Sequence, residues 1–109
     1  MTDPSEHDQL RDALAAIWTR SRPVLLERQA TIARAVPALE SDPDDPQLRE
    51  SVRTEAHKLA GLLGTLSLPR GTELARAIEH RLEPGAPPAD YRELRRLAAD
   101  LRAVIESRH

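Results

Sequence analysis

A chain of 109 residues with 39% apolar residues and a net charge of −2 suits one compact domain, 1–109, with one core, and it has no strongly basic stretch to draw nucleic acid. With no cysteine, a disulfide framework and thiolate metal sites are excluded. One Trp, one Tyr and no Phe leave Leu, Ile, Val and Ala to build the core, which favours helices packed on helices over a β-sandwich.

The N-terminus, MTDPSEHDQL, is polar and acidic and lacks the apolar centre of a signal peptide, and no segment approaches about 18 uninterrupted apolar residues. A soluble cytoplasmic protein with no membrane partner is expected. Prolines punctuate the chain, and the segments between them have helical spacing. Ser5 caps a first, short helix, with Asp8 in the capping-box position and Leu10, Leu14 and Ile17 or Trp18 on its apolar side. Pro23 is expected to break or kink it. A second helix carries Leu25, Ile32 and Val36, and Pro37 blurs its end before the acidic loop ESDPDDP.

Asp45 followed by Pro46 predicts a sharp start to a third helix, a cap and then a first-turn proline. Leu48, Val52, Ala56, Leu59, Leu63 and Leu66 continue its apolar stripe at 4-4-3-4-3 spacing, and it stops near SLP. Pro69 begins a fourth helix with Leu74, Ile78 and Leu82. The loop EPGAPPAD ends it, and a fifth helix carries Tyr91, Leu94, Leu97, Leu101 and Val104. The expected architecture is all-α, an antiparallel up-down four-helix bundle with an additional short N-terminal helix.

Within the third helix, AHKLAGLLGTL places two glycines beside a histidine, although each helical glycine costs roughly 1 kcal/mol against alanine. At about 100° per residue and with Leu59 at zero, the apolar stripe centres near ~10°. His57 then lies near ~160°, Gly64 near ~140° and Gly61 near ~−160°. The histidine and both glycines therefore point away from the core. A groove of bare backbone beside an exposed imidazole would let a partner approach the ring.

The segment AHKLAGLLGTLSL resembles the signature of histidine-containing phosphotransfer (HPt) domains, with Ala56, His57, Leu59, Gly61 and Gly64 in place. The match is similar to the phosphotransfer domains of chemotaxis-type histidine kinases and continues into the next helix. The resemblance implies that His57 accepts a phosphoryl group on its exposed ring nitrogen from a receiver-domain phospho-aspartate and passes it to another receiver. It implies response-regulator receivers, with a hybrid histidine kinase as a further candidate partner, and a Mg²⁺ ion supplied by the receiver rather than by this chain. The protein is then a phosphoryl carrier without autokinase activity, and it is expected to be a monomer. The chemistry suits the residue, because a neutral, exposed imidazole is nucleophilic without a dedicated base.

Two positions depart from the family pattern. Three residues after the histidine, where the family usually carries lysine, this chain has Ala60; Lys58, the only lysine, is turned about 200° from that position. Ten residues after the histidine, at the family's second common glycine, it has Ser67. If the third and fourth helices turn around Leu68 and Pro69, Glu79 lies level with His57 and Arg76 with Ala60. In chemotaxis-type domains a glutamate at the place matching Glu79 holds the inner ring nitrogen. Glu79 is expected to orient the ring here, and Arg76, on the same face, to offer the cation missing at Ala60. Arg53, one turn before His57, and Lys58 are further candidates for contact with a phosphoryl group or partner.

His7, His80 and His109 read as surface residues. Neither an H-E-x-x-H motif nor a paired Glu-x-x-His set is present for a metal, and no nucleotide-binding or nucleophile-elbow motif appears. Two other readings of the same sequence are an HPt-like module that docks on a receiver or kinase without efficient transfer, and an unrelated four-helix interaction protein.

Overall fold

In the computed structural model, which describes residues 4–108, the chain forms four helices and, among those residues, no strand. They are α1 (Pro4–Ser41), α2 (Pro46–Thr65), α3 (Pro69–Arg81) and α4 (Tyr91–Ser107). α1 packs on α2 and α4, and α3 closes the ring between α2 and α4. The all-α bundle expected from the apolar spacing is present. No described helix is long and apolar enough to cross a membrane.

The separate short N-terminal helix is not. The first two expected helices are one helix of 38 residues that runs through both Pro23 and Pro37. A proline inside a helix costs about 3 kcal/mol through the lost N–H and the clash with the preceding turn. Here both prolines lie on the exposed face. Trp18, Leu25, Gln29, Ile32, Val36 and Leu39 keep one buried phase across Pro23, so packing on both sides holds the helix through it. Ser5 lies inside α1 rather than at its cap.

At a rise of about 1.5 Å per residue, α1 spans roughly 57 Å, close to the long dimension of the 58 × 21 × 20 Å molecule. Its partners have 20, 13 and 17 residues. The N-terminal part of α1 therefore overhangs the bundle, and Leu10 and Leu14, expected on a core face, are exposed. The bundle ends at Trp18, where the Arg108 guanidinium stacks 4.7 Å from the indole centroid and also donates to the Leu66 carbonyl.

The remaining starts and stops follow local chemistry. The Asp45 carboxylate accepts from the backbone N–H groups of Gln47 (3.0 Å) and Leu48 (3.2 Å), with Pro46 in the first turn behind it. Asp90 caps α4 in the same manner through Arg92 and Glu93. α2 ends in a Schellman turn: Leu68 N–H donates to Leu63 O (2.9 Å) and Ser67 N–H to Gly64 O (3.2 Å). Ser67 supplies the left-handed residue of that turn, at φ 60°. The Ser67 departure thus falls at the end of a helix, where a glycine would meet the same backbone need.

Candidate functional site

α2 and α3 form the face that carries the histidine. They lie antiparallel around the turn at Leu68 and Pro69, and the approach is close at Gly71, where an added Cβ would meet Leu63 Cδ1 at 3.2 Å. The Thr72 hydroxyl, one residue on, reaches the carbonyls of Ala60 (3.4 Å) and Leu68 (3.2 Å). At the other end of α3, Arg49 donates to the carbonyls of Leu82 (3.1 Å), Arg81 (3.2 Å) and Glu83 (3.4 Å), closing the helix terminus against α2. Gly71, Thr72 and Arg49 fix the register of the pair, and none was singled out from the sequence. Gly71 had a signal there, a helical glycine level with core Leu63 across the hairpin.

That register sets Glu79 against His57. His57 Nδ1 and Glu79 Oε2 are 2.6 Å apart. The imidazole is 72% exposed and the Glu79 side chain only 12%, so one edge of the ring is held by a shielded carboxylate while the rest faces solvent. A carboxylate only accepts, so the proton of this bond sits on Nδ1. The neutral ring then has its lone pair on Nε2, on the outward edge.

The other candidates are placed unequally. Gly61 and Gly64 are exposed as the helical phase requires: a Cβ at Gly61 would meet nothing within 4 Å, and one at Gly64 only the Thr72 hydroxyl at 3.7 Å. Arg76 is exposed three residues before Glu79, and among the described residues its side chain has no ion-pair partner. A shallow groove runs along α3 from its N-terminal turn, bordered by Gly64, Thr72, Arg76, Ala77 and His80; His57, Glu79 and Gly61 do not line it.

Arg53 lies one turn before His57 and grips Glu50 through two bonds, at 2.9 and 2.6 Å. The bond to Glu50 raises the Arg53 pKa and lowers that of Glu50; desolvation opposes both, and the charges of Glu79 and Glu83 further favour the Arg53 cation. Arg53 is thus within the electrostatic reach of Glu79, although its Nε and one Nη are bonded to Glu50. Lys58 is exposed and turned away from the groove. Ala60 is buried, 5% exposed, so a lysine there would have to run its stem out along the helix.

His80 is exposed and pairs with Glu83 at 3.0 Å, His7 is exposed, and His109 lies outside the described residues. No group of His, Asp and Glu side chains among the described residues is arranged to hold a metal.

Comparison with known proteins adds two findings. The Hpt domain family matches residues 4–107. The chain is also similar to Protein RcaC of Microchaete diplosiphon, 33% identical over 92 residues, which cover 78% of this chain and 14% of that protein. The chain thus spans only a small part of the length of this relative. No solved structure matches the chain significantly.

Proposed function

The chain belongs to the Hpt domain family, the histidine phosphotransfer modules of two-component signalling, and from that premise we propose that it is a phosphoryl carrier with His57 as acceptor. The observation that carries this reading is the His57–Glu79 pair: a ring held at Nδ1 at 2.6 Å, with its other nitrogen exposed.

In the proposed step, the Nε2 lone pair attacks phosphorus of a receiver's aspartyl phosphate. The P–N bond forms as the P–O bond to the aspartyl carboxylate breaks. The imidazole gains positive character, and the Glu79 carboxylate, accepting from Nδ1–H, stabilises it. Arg76, with no carboxylate partner among the described residues, is the proposed cation for the phosphoryl oxygens, replacing the family's lysine at Ala60. The Mg²⁺ that this chemistry uses is proposed to come with the receiver. Gly61 and Gly64 leave the backbone bare, so that the receiver's reacting aspartate can approach within bonding distance.

Incubation with a radiolabelled phospho-receiver tests the proposal. Label should move to the wild type and not to His57→Gln, whose fold should be unchanged because the ring lies in solvent. Binding without transfer would favour a docking module, and neither would sink the assignment. Transfer to a second receiver tests the carrier's other half-step.

A further inference from the structure

The overhang of α1 carries an apolar seam that the bundle does not use. Leu10, Leu14, Ile17, Ser21 and Val24 follow 4-3-4-3 spacing, the pattern of a coiled-coil seam. Its four apolar members are 40–59% exposed, and they are four of the five large apolar side chains that stand exposed among the described residues. The buried phase of α1 runs through Trp18, Leu25 and Ile32, one residue later and about 100° around the helix. Continued upstream, that buried phase meets Arg11 and Ala15, which give it no large apolar side chain. The apolar stripe therefore changes sides near Trp18, from the bundle's own core to an outward seam.

We infer that a second copy of this chain covers the seam, with the two α1 helices antiparallel about a two-fold axis between Leu14 and Ile17. Charge selects the orientation. Residues 5–12 hold three acids (Glu6, Asp8, Asp12) and one arginine, whereas 17–24 hold Arg20 and Arg22 and no acid. An antiparallel pair sets the acidic overhang of each chain against the basic stretch of the other, while a parallel pair sets like charges together. The shape agrees: Val24 and Ser21 lie where α1 already belongs to the bundle, so each overhang finds a shelf on the partner's wall. An overhang of about four turns is marginal as an isolated helix, and a partner supplies the packing it lacks. The seam is isologous and uses no residue of the His57–Glu79 pair, and α1 does not contact α3, which carries Glu79. The pair would replace the monomer expected from the family resemblance, and it does not depend on phosphotransfer.

Sedimentation equilibrium of the full chain across a micromolar to millimolar series tests it. The weight-average mass should climb from 12.1 kDa toward twice that value. Leu14→Glu should stay at the monomer mass at every concentration, and Leu14→Ala, which favours the helix, should weaken association at least tenfold with unchanged helical circular dichroism. Orientation is read by oxidative cross-linking: Leu10→Cys mixed with Ser21→Cys should give the mixed dimer, and Leu10→Cys alone should give little. A wild type monomeric throughout, a dimer indifferent to Leu14→Glu, or efficient self-linking by Leu10→Cys would each overturn the inference.

Discussion

Along α2, Val52, Ala56, Leu59 and Leu63 are fully withdrawn from solvent, whereas along the first half of α1 an apolar seam of similar regularity stands open to it. Both are helices with apolar residues on one side. What separates them is length: α2 ends level with its neighbours, and α1 continues past the point where Trp18, Leu66 and Arg108 close the bundle. Periodicity reports that a face is apolar, and only the lengths of neighbouring elements decide whether anything in the same chain covers it.

The largest expected contrast is in stability. Leu63→Ala should cost roughly 2–5 kcal/mol in denaturant unfolding, through lost burial and the cavity left at the α2–α3 contact. Leu14→Ala, measured on dilute protein, should change stability by less than about 0.5 kcal/mol. Comparable losses at the two sites would mean that the overhang is packed.

On the functional face the effects should be intermediate and should appear in rate rather than fold. Glu79→Ala is expected to slow phosphotransfer to His57 about tenfold, or ~1.4 kcal/mol in activation free energy, with receiver binding nearly intact. Arg76→Ala should slow it similarly, and transfer at the wild-type rate in that variant would remove Arg76 from the site.

The backbone changes should be small and stabilising. Ser67→Gly relieves a left-handed residue that carries a side chain and should raise stability by about 1 kcal/mol in thermal or denaturant unfolding. Gly61→Ala should add up to ~1 kcal/mol, because its Cβ meets open space. Gly71→Ala should do the opposite, since its Cβ would press on Leu63, which is fully buried and has little room to shift. A stabilised Gly71→Ala would show the α2–α3 contact to be looser than drawn.

Much of this was legible in the sequence. The Asp45–Pro46 start, the buried stripe of α2 and the outward phase of His57, Gly61 and Gly64 rest on local chemistry and helical geometry, which tertiary contacts did not override. The level of Glu79 against His57 was legible too, because a short turn at Leu68 and Pro69 fixes the register of an antiparallel pair. The continuity of α1 was not, because the cost of Pro23 is local while its compensation comes from Trp18, Leu25 and Ile32 packing on other helices. The exposure of Leu10 and Leu14 was hidden for a related reason, since spacing marks an apolar side but cannot register that α1 outruns the bundle. Arg49, whose three acceptors lie more than thirty residues away, left no local trace. Ser67 looked like a loss at the site and is a turn residue, which only its φ reveals.

In the proposed step Glu79 holds one nitrogen of His57 so that the other accepts the phosphoryl group. Phosphorus–nitrogen correlated NMR on the ¹⁵N-labelled protein, after transfer from a phospho-receiver, reads this directly. Phosphorus should couple to Nε2 of a single histidine, with Nδ1 still protonated, and the signal should be absent in His57→Gln. Phosphorus on Nδ1 of His57, or on any other residue, would rule this arrangement out.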